Sequence, residues 1–454
     1  MIIDVVVAEI GSTTTVVNAF HNLTTNPSFL AQGIAETTIN DVSIGLNAAL
    51  ENLKQNLKVN HLTIKETFAS SSAAGGLKMS VHGLVYDMTV KAAKEAALGA
   101  GANLHLITAS KLNKYDLNKL KQLNLNIIMV AGGVDYGESE TSLYNAQEIA
   151  KLRLNIPIIY AGNIVNHEAV KEIFTDNLQS EYLYITENVY PKIDIINVSS
   201  ARKIIQAVFE EHITKAQGME NVKKLVNGPI IPTPGAVMEA SILLQKKLGD
   251  LVTIDIGGAT TDIHSVVDDN PENIKASITP EPFIKRTVEG DLGVYINIRN
   301  ILKTMDKKKL LNELNVNELE LENIINNLSY LPQKKEMLFI EKAAVEALNQ
   351  AMGRHAGRYR NIYGGSGITK MIDGKDLTSV KYIIGTGGVL SKHPSRFQII
   401  NSILLKEDIE SLKPNKNTKV IIDNNYIMAS LGVLSIKYPE AALLLLQKSL
   451  RDEV

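Results

Sequence analysis

The sequence predicts an α/β fold made of two similar halves, with a further α/β domain inserted into the first half. Two strand–turn–strand hairpins of the same kind occur about 250 residues apart, which indicates an internal duplication. Between them, short strands alternate with helical stretches, as in a parallel sheet with right-handed connections. The 454 residues give room for roughly three folding units of ordinary size.

Composition excludes several classes of function. The 47 Lys and Arg residues against 49 Asp and Glu leave a net charge of -2, which gives no field able to hold a nucleic acid backbone. No cysteine is present, so disulfides, thiolate zinc sites and iron–sulfur clusters are excluded. The apolar residues 1–10 lack a basic start, and no apolar run approaches the ~18 residues of a membrane span. We therefore expect a cytoplasmic protein with no membrane or nucleic acid partner.

The first hairpin begins with a buried strand, predicted at residues 2–10. It is followed by Gly11, Ser12, Thr13 and Thr14 and then by a second β-prone run, too close for a helix to intervene. Glycine lets the backbone approach a ligand, and successive N–H groups with hydroxyls form a concave nest for phosphate oxygens. On its own, such a turn is also typical of an ordinary hairpin.

After this hairpin, strand-like and helical segments alternate, and residues 80–198 are predicted to form an inserted Rossmann-like domain. Strands are predicted at 104–109, 126–133, 156–163 and 182–186, and helices at 117–123, 140–152 and 167–174. The loop 132–140 follows a strand, at the edge where open parallel sheets bind ligands, although such loops often carry glycine and aspartate.

The second hairpin is predicted at residues 251–267, and its turn can surround phosphate oxygens in the same way as the first. The turn residues are Gly257, Gly258, Ala259, Thr260 and Thr261. The region 303–360 is predicted to be helical, because apolar residues recur at helical spacing over 321–328.

A third glycine-rich turn follows the apolar strand predicted at 382–384. It leaves room for adenosine to lie flat against the backbone, although a tight strand–helix connection has the same composition. The residues predicted to contact adenosine are Gly385, Thr386, Gly387 and Gly388. Segments 231–237 and 426–433 lead into helices rich in small residues, which are suited to crossing closely at a hinge.

Three carboxylates accompany the hairpins. Glu9 and Asp255 each stand two residues before the first glycine of a turn, at the end of an apolar strand, where a buried charge needs a partner. Asp262 follows seven residues after Asp255 and can approach the same ion. Hard oxygen ligands beside phosphate nests suit Mg²⁺, so these three residues are the predicted metal ligands and catalytic residues. Hairpin or capping side chains are the alternative interpretation.

In this order, the five segments resemble the signature of the actin/Hsp70/sugar-kinase (ASKHA) superfamily, most strongly in Asp255-x-Gly257-Gly258-x-Thr260-x-Asp262. The resemblance implies a two-lobed actin/Hsp70-like ATPase fold of duplicated ribonuclease-H-like domains, which binds ATP and Mg²⁺ and hydrolyses ATP slowly. Glu9 stands where an Asp is usual, so direct contact with the cation becomes available. Ile231 stands where Hsp70 chaperones carry a Glu, so an Hsp70-like hydrolysis rate is not implied.

A narrower resemblance covers the full length. The segments VVVAEIGSTTTVVNAF, TIDIGGATTDIHSV, RTVEGDLG (286–293) and RHAGR (354–358) are similar to component L, the family of accessory proteins of coenzyme-B12-dependent glutamate mutase. This implies an ATP-dependent reactivating chaperone that helps to release damaged cobalamin and has glutamate mutase subunits as partners. The cationic run 354–360 contacts the nucleotide, contacts an acidic partner or forms a solvated face.

The predicted domain boundaries follow from these elements. They are 1–79 and 199–247 for the first lobe, 80–198 for the insert, 248–428 for the second lobe with a helical subdomain at about 302–365, and 429–454 for helices that return to the first lobe.

The main alternative function is a small-molecule kinase acting on a sugar or a carboxylate, which needs a catalytic carboxylate near the γ-phosphate. An actin-like filament fits less well because of the inserted bulk. Homo-oligomerisation is left open.

Overall fold

The computed structural model describes residues 1–38, 41–72, 77–100, 102–213, 219–228, 230–268, 271–329, 334–364, 367–405 and 408–452. The chain forms two compact units. Unit 1 comprises Met1–Ala73, Asn221–Ile278 and Arg286–Val454, and unit 2 comprises Ala74–Glu220 with Thr279–Lys285.

Strands and helices are numbered in chain order. The strands are β1 (Ile2–Ile10), β2 (Thr14–His21), β3 (Ser28–Glu36), β4 (Thr63–Ser71), β5 (Leu77–Gly83), β6 (Ala102–Ala109), β7 (Ile127–Val130), β8 (Ile158–Tyr160), β9 (Leu183–Ile185), β10 (Ile230–Pro232), β11 (Leu251–Ile256), β12 (Thr261–Val266), β13 (Ile284–Glu289), β14 (Arg358–Gly364), β15 (Gly367–Asp373), β16 (Tyr382–Thr386), β17 (Lys419–Asp423) and β18 (Leu450–Asp452). The helices are α1 (Val42–Leu57), α2 (Lys91–Gly99), α3 (Lys114–Gln122), α4 (Glu140–Leu152), α5 (His167–Asp176), α6 (Ser199–Ile213), α7 (Met219–Leu225), α8 (Thr233–Leu248), α9 (Pro271–Ala276), α10 (Ile298–Thr304), α11 (Lys307–Leu314), α12 (Glu318–Asn326), α13 (Lys334–His355), α14 (Gly387–Lys392), α15 (Arg396–Leu405), α16 (Met428–Ser435) and α17 (Pro439–Ser449).

The first sheet of unit 1 is built around the amino-terminal hairpin. Its strand order is β10-β4-β1-β2-β3, with β1 antiparallel to β2 and parallel to β4. Most side chains of the central strand β1 are buried, and the strand is apolar except for Asp4 and Glu9. Glu9 lies opposite Val16 in the hairpin, so it stands at the end of the strand next to the turn.

The second sheet of unit 1 repeats this plan. Its order is β13-β12-β11-β16-β17-β18, with β11 antiparallel to β12 and parallel to β16, and with β16 parallel to β17. In both sheets the first hairpin strand lies inside the sheet, and two later strands add in parallel on its other side: β4 and β10 in the first sheet, β16 and β17 in the second. Strand β18 then adds antiparallel to β17. The repeated order confirms the two-lobed fold of duplicated ribonuclease-H-like domains.

Helices α8 and α16 pack against each other. A side chain at Gly432 of α16 would overlap the backbone of Ala236 in α8, so the close crossing requires glycine at this position. The close approach of these two small-residue helices follows the sequence prediction, and their role as a hinge remains a prediction.

Unit 2 contains a parallel five-stranded sheet of order β6-β5-β7-β8-β9, as in doubly wound folds. Strand β5, which lies between β6 and β7, is absent from the predicted strands because polar Lys78, Ser80 and His82 interrupt the apolar pattern. The His82 ring lies within hydrogen-bond distance of the hydroxyls of Ser80 and Thr108, at 2.9 and 2.7 Å, which allows polar residues in a buried strand. The compact unit begins before residue 80 and continues through α6, which packs on α2.

The helical region of unit 1 packs its apolar face on the second sheet. Leu321 and Ile325 of α12 are buried in the same core as Ile254 and Phe339. The helices end at His355, however, and residues after Gly357 form the hairpin of β14 and β15 instead of continuing to about 365. Among the helices that the structure describes, none is long and apolar enough to cross a membrane.

Candidate functional site

The two predicted phosphate turns face each other within unit 1. Each turn closes in the same way: the Gly11 N–H donates to the Thr14 carbonyl at 2.9 Å, and the Gly257 N–H donates to the Thr260 carbonyl at 2.9 Å. A Cβ placed on Gly258 would lie 3.5 Å from Oγ1 of Thr13, so the turns approach to within van der Waals contact.

Glu9 is buried beside this approach. Glu9 is only 6% exposed, and its Oε2 has no hydrogen-bond partner among the described residues. Burial raises the pKa of Glu9 to about 8, and the negative charges of Asp255 and Asp423 act in the same direction. Glu9 therefore holds a proton at neutral pH unless a cation comes near.

Asp255 and Asp262 lie opposite each other in the second hairpin. Burial raises the pKa of Asp255 to about 7, with a further contribution from Asp262, while the cationic Arg286 opposes the rise. Asp262 is already engaged: its Oδ1 accepts from the Arg286 guanidinium at 3.0 Å and its Oδ2 accepts from the Thr260 hydroxyl at 3.0 Å. Of the two, Asp255 therefore retains more capacity to meet a ligand.

Sequence reasoning missed a fourth carboxylate, Asp423, at the end of β17. Its Oδ2 accepts from the Thr386 hydroxyl at 3.0 Å and from the backbone N–H groups of Ile427 and Met428, at 2.9 and 2.8 Å. It thereby caps the start of α16 and joins the third glycine-rich turn to that helix. Burial raises the pKa of Asp423, although its hydrogen bonds oppose the rise. Its signal was available: an apolar strand ends at a carboxylate, as at Glu9 and Asp255.

Tyr426 also belongs to this cluster. Its backbone has a φ of 55°, in the left-handed region that non-glycine residues rarely adopt. Burial raises the pKa of its phenol well above the ordinary value, and the charges of Glu9, Asp255 and Asp423 add to this rise. A side chain held in an uncommon backbone conformation beside three carboxylates is a candidate site residue.

The third glycine-rich turn adjoins Asp255. Thr386 is paired with Asp255 between β16 and β11, and a side chain at Gly387, where φ is +84°, would overlap the Asp255 carboxylate. A Cβ on Gly388 would meet nothing within 4 Å, so the turn is open there. Gly385 is instead buried within β16.

The remaining predicted contact residues are placed as follows. Ser12 Oγ donates to the Ser72 carbonyl at 3.3 Å, the hydroxyls of Thr13 and Thr14 are 3.4 Å apart, Thr261 Oγ1 donates to the Leu292 carbonyl at 2.8 Å, and the Ala259 carbonyl accepts from Asn297 at 2.7 Å. The second turn is thus anchored from behind by the loop that follows β13.

The segments RTVEGDLG and RHAGR meet behind the second hairpin. Arg354 forms an ion pair with Glu289, and the His355 ring is 2.8 Å from the Thr287 hydroxyl and 2.9 Å from the Ser265 hydroxyl. These contacts, like the pair of Arg286 with Asp262, support the hairpin. Arg354 and His355, the first two residues of the cationic run 354–360, are therefore engaged in contacts within the chain.

The site fits a bound magnesium nucleotide by its chemistry. Four carboxylates lie here, and among the described residues the buried Arg286 forms an ion pair with one of them, Asp262. One oxygen of Glu9 is buried with no hydrogen-bond partner among those residues. Within the described residues, no group of three or more His, Asp or Glu side chains is arranged to hold a metal by itself. Mg²⁺ typically completes its shell with nucleotide phosphates and water.

Comparison with known proteins identifies the family. The family model described as MutL protein matches residues 5–450. Protein MutL of Clostridium tetanomorphum is 37% identical over 441 residues, which cover 94% of this chain and 95% of that protein. Among solved structures, a xylulose kinase from Lactobacillus acidophilus is similar with 12% identity and a TM-score of 0.39, over 100% of this chain and 93% of the kinase. A glycerol dehydratase reactivase is similar with 10% identity and a TM-score of 0.36, over 95% of this chain and 99% of the reactivase. The chain belongs to the MutL protein family, which its resemblance to component L of glutamate mutase predicted.

Proposed function

We propose that this chain is an ATP-dependent reactivating chaperone for an adenosylcobalamin-dependent mutase, with glutamate mutase as its client, and that it promotes the exchange of damaged cobalamin. The observation that carries the proposal is the convergence of Glu9, Asp255, Asp262 and Asp423 beside two facing turns, in a chain of the MutL family. The arrangement suits a nucleotide-dependent switch.

Each part of the site has a proposed role. Glu9 and Asp255 hold Mg²⁺, together with Asp262 as oriented by Arg286. Backbone N–H groups and hydroxyls of the two turns bind phosphate, and the open turn at Gly388 receives adenosine. The residues proposed to bind the nucleotide are Gly11, Ser12, Thr13, Thr14, Gly257, Gly258, Ala259, Thr260, Thr261, Gly385, Thr386, Gly387 and Gly388. When bound, Mg–ATP supplies a phosphoanhydride whose slow hydrolysis separates two states of the chain.

The residues of the chain perform the switching. Glu9 and Asp255 release protons as a cation approaches, which converts two buried neutral groups into ligands. Closure of the lobes on the nucleotide bends the chain where α8 crosses α16, at Gly432. For this motion to act on a mutase, the client must bind the two states with different affinity.

The test is a reactivation assay. Glutamate mutase inactivated by its own damaged cobalamin is incubated with the chain, ATP, Mg²⁺ and fresh adenosylcobalamin, and recovery of mutase activity is expected only with the complete mixture. Asp255→Asn should abolish recovery, whereas Asp176→Asn, the same change at an exposed site of unit 2, should retain it. Failure of the intact chain to reactivate the mutase would refute the function.

The same preparations separate the proposal from the kinase alternative. A chaperone releases inorganic phosphate, whereas a small-molecule kinase transfers it to a sugar or a carboxylate. Mass spectrometry of a mixed pool of such substrates with ATP is expected to reveal no phosphorylated product. A phosphorylated product formed faster than free phosphate would favour the kinase.

A further inference from the structure

Exposed apolar side chains follow the carboxyl end of every strand in the unit 2 sheet. Val85 and Tyr86 follow β5, Tyr136 follows β7, and Ile164 and Val165 follow β8, with exposures between 43% and 84%. Because the strands are parallel, these residues lie at one edge of the sheet. We call this set the carboxyl-edge surface. Tyr115, Ile193 and Ile195 extend it beyond β6 and β9.

Hydrogen bonds join the parts of the carboxyl-edge surface. Asn163 Oδ1 accepts from the backbone N–H groups of both Tyr136 and Val165, at 3.1 Å each. The Ile164 N–H donates to Asp135 at 3.1 Å. The loops after β7 and β8 are therefore one rigid piece, and they present their apolar side chains together.

The loop that carries Tyr136 is held in place from beneath. Asn188 donates to the Gly133 carbonyl at 2.9 Å and Asn163 donates to the Gly137 carbonyl at 3.1 Å. Tyr136 itself has a φ of 61° and is 84% exposed, so its ring gains little burial within the chain. A large aromatic ring presented on an ordered, locally strained backbone is typical of an interaction hot spot.

The surroundings of these apolar residues are acidic. The loops 84–90, 131–140 and 161–170 contain Asp87, Asp135, Glu138, Glu140 and Glu168 and no lysine or arginine. Lys171, just beyond the last loop, lies 2.5 Å from Glu168, so that carboxylate is paired. Lys111, from the loop after β6, lies 3.8 Å from Glu140. The complementary partner has an apolar centre with Lys or Arg at its rim, and a second copy of this surface is disfavoured because its carboxylates repel.

We propose that the carboxyl-edge surface docks the cobalamin-dependent mutase, through a patch on the mutase that has an apolar centre and a basic rim. This rests on the proposed function, since that function identifies the client. The surface buries its exposed rings against the mutase, and the acidic rim steers the encounter.

The experiment measures binding of purified glutamate mutase to the immobilised full-length chain. Tyr136→Ala and Ile164→Asp should each weaken binding at least tenfold. The matched control is Leu178→Ala, because Leu178 is 75% exposed with a φ of 60° but follows α5 at the opposite edge of the sheet. Binding should also weaken with added salt and with Glu138→Lys, while the affinity of every variant for Mg–ATP stays unchanged.

The outcomes separate the two proposals. If the intact chain binds and reactivates the mutase and Tyr136→Ala and Ile164→Asp do the same, the docking surface is refuted and the function stands. If the intact chain neither binds nor reactivates the mutase, both the docking surface and the proposed function are refuted. If light scattering shows dimers of the chain that Ile164→Asp disperses, the occupant is a second copy and the proposal is overturned.

Discussion

Replacing Glu9 by glutamine isolates the effect of one buried carboxyl group on stability. Glu9 is 6% exposed, and burial raises its pKa to about 8 from an ordinary 4.5. A raised pKa means that the folded state binds the proton more tightly than the unfolded state. The contribution of Glu9 to stability is therefore complete below pH 4.5 and is lost as the pH rises towards 8.

The size of the loss follows from the two pKa values. At roughly 1.4 kcal/mol for each tenfold change in acidity constant, the difference between 4.5 and about 8 is worth about 5 kcal/mol, an order-of-magnitude figure. A glutamine side chain resembles the neutral carboxyl in shape and does not titrate. We expect wild type and Glu9→Gln to have similar stability at pH 5 and the variant to be several kcal/mol more stable at pH 9.

The assay is unfolding by guanidinium between pH 5 and pH 9 in EDTA, followed by circular dichroism. Glu172→Gln, at an exposed position of α5, is the control and should follow the wild type at every pH. Asp255 titrates in both proteins, so the difference between their curves isolates Glu9. Parallel curves for wild type and Glu9→Gln would show that Glu9 is ionised and satisfied in the folded chain, which would refute the reasoning.

Three further variants test neighbouring parts of the site. Gly258→Val should weaken ATP binding at least tenfold, because its side chain fills the space beside the opposite turn; unchanged affinity in calorimetry would show that the turn does not bind phosphate. Asp255→Asn should reduce magnesium-dependent ATP hydrolysis more than nucleotide binding, and an equal loss of both with the fold intact would count against a metal role. Arg286→Met leaves the buried Asp262 without its cationic partner and should cost about 3–5 kcal/mol in guanidinium unfolding. Adding Asp262→Asn should restore part of this, and a cost that is unchanged in the double variant would argue against the pair.

The hairpins and glycine-rich turns could be predicted because a local signal marks them. An apolar run that stops abruptly at Gly, Ser or Thr fixes both the strand and its end, so Gly11 and Gly257 can be located without any knowledge of tertiary contacts. The pairing of Asp262 with Arg286 had no such signal, because the two residues are 24 apart and meet only after β12 and β13 have formed.

Asp423 and β5 were missed for different reasons. Asp423 ends the strand β17, but Asn424 follows it where the other carboxylates are followed by a glycine turn, so the pattern was incomplete. In β5 the polar side chains are satisfied by partners within the sheet, a form of burial that hydrophobic periodicity does not detect. The contact of His82 with Thr108 and that of Asp423 with Thr386 both join residues far apart in sequence.

Two neighbouring residues of strand β13, Lys285 and Arg286, form ion pairs with different parts of the chain. Lys285 pairs with Glu281 at 2.9 Å, and Glu281 also pairs with Lys91 at 2.5 Å, directly after the turn that carries Tyr86. The next residue, Arg286, pairs with Asp262 beside the carboxylate cluster. Glu281 is buried, and the two lysines lower its pKa despite that burial, so the charged anchor persists at neutral pH. Lys285 and Arg286 are adjacent in β13, so one peptide bond separates the two anchors.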